Sequence, residues 1–158
     1  MSTNNYRPHV LVLPEDDANR QIANGFQLDA SINLRKIQVL PPAGGWPAVR
    51  DSFPREHNAA MRRFPNRHMV LLVDFDGRGK SRFEQVMSEV DPSIVPRVFV
   101  LGASSEPEDL PGASYEAFGK QLAEDCARGT DLRWSHPLLG HNAPELVRLR
   151  AQVRPILF

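Results

Sequence analysis

Four short apolar runs recur along this chain, and each is followed by residues whose apolar members fall at helical spacing. Residues 9–14 (His-Val-Leu-Val-Leu-Pro), 68–73 and 97–102 are nearly continuous in apolar character, and 35–40 (Arg-Lys-Ile-Gln-Val-Leu) is apolar from Ile37 onward apart from Gln38. Such runs read as strands buried on both faces. The intervening stretches carry apolar stripes: Ala18, Ile22 and Phe26; Trp46, Val49 and Phe53; Phe83, Val86, Met87 and Val90. Tyr115, Phe118, Leu122 and Cys126 make a fourth stripe, closed by Gly129. Repeated strand–helix alternation implies a compact α/β fold, Rossmann-like, with a mainly parallel sheet of about four strands and helices on both faces. The expected organisation is a single domain over residues 1–158, with a core at about 9–128 and a helical C-terminal extension at about 129–158. In that extension Leu146, Leu149 and Val153 mark a short helix, and the apolar residues 155–158 are expected to dock on the core.

Composition narrows the chemistry. A charged fraction of 24% and a hydrophobic fraction of 41% are those of a soluble globular protein. The formal net charge is +0, so no global field draws the chain to nucleic acid; a local patch, a partner protein or a homodimer must supply any basic surface. Cys126 is the single cysteine, which excludes an internal disulfide and a cysteine-based zinc cluster. No apolar run approaches the roughly 20 residues of a membrane helix, and the first residues lack the apolar region of a signal peptide. A cytoplasmic protein that does not engage a membrane is the expectation.

The acidic residues are placed unevenly. Glu15, Asp16 and Asp17 follow the first run, Asp74 and Asp76 close the third, and Glu106, Glu108 and Asp109 follow the fourth. In a parallel sheet all three groups reach the same edge, where doubly wound folds bind ligands. A period of two along the third strand aims Asp74 and Asp76 to one side, where they repel unless a cation, a proton or a basic group joins them. Asp16 and Asp17 also suit the N-terminus of the first helix, whose unpaired N–H groups favour acids. Several carboxylates converging from separate loops fit a hard cation, Mg²⁺ or Mn²⁺, and such ions commonly handle phosphate. Zinc fits poorly without cysteines or a close histidine pair.

Glu15 after the first strand, with Asp74-Phe-Asp76-Gly-Arg-Gly-Lys80 after a later one, resembles the toprim domain of topoisomerases, primases and related nucleases. The resemblance spans roughly residues 9–110. It implies a Mg²⁺-dependent phosphodiesterase of nuclease type acting on nucleic acid or another phosphate-bearing ligand. Glu15 would act as acid–base residue or metal ligand, Asp74 and Asp76 as metal ligands, and Lys80 in catalysis. Arg78 and Lys80 would contact phosphate, with Asp17, Glu106 and Glu108 supporting the ion or the phosphate. The chain departs from the family where Asp16 replaces the usual glycine and where Gly79 or Lys80 replaces a third acid. A non-catalytic binding or regulatory module on the same fold is the alternative. Residues 11–20 also resemble the start of a response-regulator receiver, which would make Asp74 or Asp76 a phosphate acceptor, with Ser104 and Lys120 as its hydroxyl and lysine. A fainter resemblance, through Asp74-Phe-Asp76-Gly77, is to the haloacid-dehalogenase phosphatases.

Overall fold

The computed structural model describes residues 3–105, 110 and 114–158. Four strands, β1 (His9–Pro14), β2 (Ile37–Val39), β3 (Arg67–Leu72) and β4 (Val98–Leu101), form one sheet in the order β2-β1-β3-β4. Every pairing is parallel, with Val10 opposite Ile37 and His68, and Met69 opposite Val98. The expected α/β architecture is therefore the one observed. β2 is shorter than its apolar run suggests, because residues 34–36 form a 3₁₀ turn that Asn33 caps from its side chain.

Both faces of the sheet are buried, as continuous apolar strands require. Val10, Val12, Val70, Phe99 and Leu101 face α1 (Asp17–Phe26), α5 (Tyr115–Arg128) and the C-terminal helices α6 (Ala143–Gln152) and α7 (Arg154–Leu157). Leu11, Leu13, Met69, Leu71, Val73 and Val100 face α2 (Trp46–Phe53), α3 (Ala59–Arg63) and α4 (Gly79–Glu89). The chain continues from α2 into α3 through one π-helical stretch, Pro54–Asn58, which opens on a proline that has no N–H to donate.

Two features fix the frame around the sheet. Where α1 crosses α5, Gly25 and Gly119 are buried, and an added Cβ would lie 1.8 Å from the Glu116 carbonyl oxygen or 1.9 Å from that of Ile22. Gly25 therefore permits close helix approach. At the β4 edge, α6 and the turn before it occupy the position of a further strand. Glu145 accepts the Val100 N–H at 2.9 Å, and the Asn142 amide accepts from the Gly102 N–H at 3.2 Å and donates to its carbonyl at 2.9 Å. Arg148 bonds the Val95 and Val98 carbonyls at 3.0 and 3.3 Å and lies over the Phe99 ring. Side chains thus satisfy an edge that would otherwise offer bare backbone. Ile156 and Leu157 are buried, so the apolar C-terminus docks on the core as its composition suggests.

Candidate metal centre

The order β2-β1-β3-β4 sends the chain from β1 to one side and then back across to β3. Sheets of this order receive ligands in the crevice at the topological switch point, here the carboxyl ends of β1 and β3. Glu15 leaves β1 directly into this crevice, its N–H extending the ladder to the Leu72 carbonyl at 2.8 Å. Its side chain is 7% exposed, and Oε2 accepts the Asp74 N–H at 2.6 Å. Glu15 therefore ties β1 to β3 at this point. Its carbonyl meanwhile takes the N–H groups of Gly44 and Gly45, both at 3.0 Å.

Asp16 is the N-cap of α1, accepting the Asn19 N–H and the Asn19 side-chain amide, each at 3.0 Å. The same amide donates to Asp74 Oδ1 at 3.2 Å, so Asn19, itself buried, bridges the two aspartates. One oxygen from each of Glu15, Asp16 and Asp74 lies within 4.8 Å of the others. Ligands of a single octahedral Mg²⁺ stand about 3 to 4 Å apart, so the three groups are about 1 Å from closing on such an ion. All the donors are hard carboxylate oxygens, which matches Mg²⁺ or Mn²⁺ and disfavours softer metals.

Electrostatics say the same. Burial, chiefly, and then the charges of Asp16 and Glu15 push the Asp74 carboxyl up to about 7, against the pull of the Asn19 amide. Burial also raises Glu15, with Asp16 adding to the effect, while the Asp74 N–H, Arg82 and the Trp46 N–H oppose it. Burial of these neighbouring acids disfavours their full ionisation, and Asp74 is poised to take or release a proton near neutrality. A cation would take over the proton's role.

Asp76 goes elsewhere. Strand-like pairing runs on past Leu72, with the Val73 and Phe75 N–H groups donating to Leu101 and Ala103, both at 2.9 Å. It then stops in a tight turn. Asp76 and Gly77 both take positive φ, 51° and 69°, and the Arg78 N–H closes on the Phe75 carbonyl at 2.8 Å. These are the marks of a type I′ turn, which Asp-Gly favours. The period-two expectation that aligned Asp76 with Asp74 therefore fails, and Asp76 lies exposed outside the three-carboxylate group, with Asp16 in its stead.

The remaining candidates are dispersed. Asp17 is exposed, bound to Arg20 at 2.5 Å and to Gln21 at 2.6 Å. Arg78 and Lys80 are exposed at the start of α4, and Lys80 lines a groove with Phe75, Phe83 and His141. Glu106 and Glu108 lie outside the described residues. Ser104 is half-buried, and its carbonyl holds the Gly77 N–H at 2.5 Å. Lys120 is exposed on α5, and no fifth strand precedes it among the described residues. Three residues of the centre were not legible as such: Asp16 beyond its capping role, Asn19 and Arg82. Arg82 donates through Nη1 to the Asp74 carbonyl and sits 5.1 Å over the Trp46 ring. Its position one turn into the helix after Asp-Gly was the available signal. No known protein family, characterised protein or solved structure matches this chain.

Proposed function

We propose that this protein is a Mg²⁺- or Mn²⁺-dependent phosphodiesterase of nuclease type, working at the β1/β3 crevice. The observation that carries the reading is the convergence of Glu15, Asp16 and Asp74 oxygens within 4.8 Å at the switch point, where burial and the neighbouring acids push Asp74 up to about 7. A bound ion would screen phosphate oxygens and lower the pKa of an attacking water. Asn19 holds the Asp16 and Asp74 carboxylates in register. Glu15, raised by burial, is the residue of the set suited to hold or pass a proton beside the phosphorus. The near-neutral net charge leaves nucleic-acid affinity to a partner protein or a second copy.

The test is cleavage of single- and double-stranded DNA and RNA by purified protein with Mn²⁺, compared with Asp74→Asn. Cleavage that needs both the metal and Asp74 supports the reading, and its absence on all four substrates points to a non-catalytic module. One observation favours a second reading. Acids after β1, Asp74 after β3 and Ser104 after β4, on strands ordered β2-β1-β3-β4, also suit a phospho-aspartate regulator. Acetyl phosphate would then label Asp74 in the presence of Mg²⁺, and no label would form in Asp74→Asn.

A further inference from the structure

Three basic side chains stand at or near the start of α4, and they behave differently. Arg78 and Lys80 are exposed. The Arg82 side chain is 16% exposed and folds back toward the carboxylates. Nη1 donates to the Asp74 carbonyl, the Trp46 ring lies 5.1 Å beneath the guanidinium carbon, and its charge is felt at Glu15. Nη2 stands 3.7 Å from Asp76 Oδ2, beyond hydrogen-bond range, and the Asp76 side chain is 66% exposed. Nε has no hydrogen-bond partner among the described residues. A guanidinium clamped by a carbonyl and an aromatic face keeps its plane fixed while an edge stays open, the form that suits bidentate capture of a phosphate.

We propose that Arg82 takes an anionic oxygen of the phosphate ligand, and that Asp76 keeps its place in the free protein as an internal counter-ion that the ligand displaces. This rests on the reading of the crevice as a cation–phosphate site, and it assigns the anion to a phosphomonoester or phosphodiester group. Two facts make Asp76 displaceable. Its pair with Arg82 is long and its own carboxylate is exposed to solvent, which weakens the contact. Its backbone is set by the Asp-Gly turn, so the carboxylate can swing away without moving the chain. A phosphate bound between the cation and Arg82 would meet positive charge on two sides, whereas Arg78 and Lys80 would meet it only through flexible, solvated side chains.

The experiment is calorimetric titration of phenyl phosphate and, separately, of Mg²⁺ into the full chain and into Arg82→Gln, Arg82→Lys and Asp76→Asn. Arg82→Gln should weaken phenyl phosphate about tenfold or more, the usual loss of a charge-assisted contact, and Arg82→Lys by less. Both should keep Mg²⁺ affinity within about threefold, since neither touches a ligand oxygen. Asp76→Asn should bind phenyl phosphate more tightly with Mg²⁺ affinity unchanged. Full phenyl phosphate binding by Arg82→Gln would overturn the proposal. So would a loss of Mg²⁺ affinity in Asp76→Asn, which would make Asp76 a ligand of the ion. If Mg²⁺ does not bind but phenyl phosphate binds through Arg82, the metal reading falls and the Arg82 assignment stands. No phenyl phosphate binding to the wild type, with or without Mg²⁺ in the cell, would also sink the assignment. Asp76→Asn alters an exposed residue at a φ that asparagine accepts, so it folds even if an Arg82 variant does not.

Discussion

Asp74 sits in a conflict between folding and binding. Its carboxyl titrates near 3.8 when unperturbed and near 7 in the fold, so the folded state prefers it protonated. Its contribution to stability is full below about 3.8 and is lost as pH rises through about 7. Asp74→Asn should therefore raise the melting temperature of the metal-free protein at pH 8, by about 3 °C once solvent screening is allowed for, with no gain near pH 4. Differential scanning fluorimetry reads both. Mg²⁺ or Mn²⁺ should stabilise the wild type and leave Asp74→Asn unmoved. Glu15 presents a different balance, because its carboxylate also accepts the Asp74 N–H. Glu15→Gln keeps an acceptor there and should chiefly weaken Mg²⁺ binding. Glu15→Ala strands that donor and should cost about 1–3 kcal/mol in urea denaturation as well.

The elements divide into those that periodicity announces and those that contact decides. The four strands and their flanking helices were legible because burial on both faces demands continuous apolar runs, and helix packing demands a 3.6-residue stripe. Gly25 was not, since a glycine near a helix end looks the same whether it caps or makes room. Gly25→Ala or Gly119→Ala puts a methyl against backbone that cannot yield and should destabilise by about 2 kcal/mol, on the scale of overpacked cores. The β4 edge was equally hidden, for nothing in the spacing of Asn142, Glu145 and Arg148 says which backbone groups they meet. Glu145→Ala leaves the Val100 N–H and Arg148 without their partner and should cost about 2–4 kcal/mol, with more self-association in sedimentation as the edge opens. In the centre, Glu15 and Asp74 could be read because strand ends in parallel sheets share an edge. Asp76 misled because a period of two holds only while the strand lasts, and Asp-Gly ended it. Arg82 needed the turn of α4 to bring it back over Trp46.

Across the whole molecule a net charge of +0 conceals a polarised sheet. Carboxylates gather at its carboxyl edge, while His9, His68, Arg67 and Arg97 lie at or near its amino edge. His9 is 1% exposed, with Nδ1 2.7 Å from the Arg7 carbonyl and Nε2 accepting from Arg67 Nε at 3.1 Å. A second ring proton would meet Arg67 head on. Burial, chiefly, lowers His9 and His68 below their usual range; Arg67 adds to the lowering at His9, and Arg97 and His9 add to it at His68. Stability from these two is present above about 6.5 and is lost as pH falls through their depressed values. The two edges pull in opposite directions, so Asp74→Asn should move the pH of greatest stability upward in melting curves. The crossing of α1 and α5 carries a last consequence. α1 is 10 residues, about 15 Å, long, with Gly25 near one end and Asp16 and Asn19 at the other. It is a lever with its fulcrum at the glycines. A methyl that prises the helices apart at Gly25 swings the far end, so the distant Gly25→Ala should loosen Mg²⁺ binding without touching one ligand oxygen.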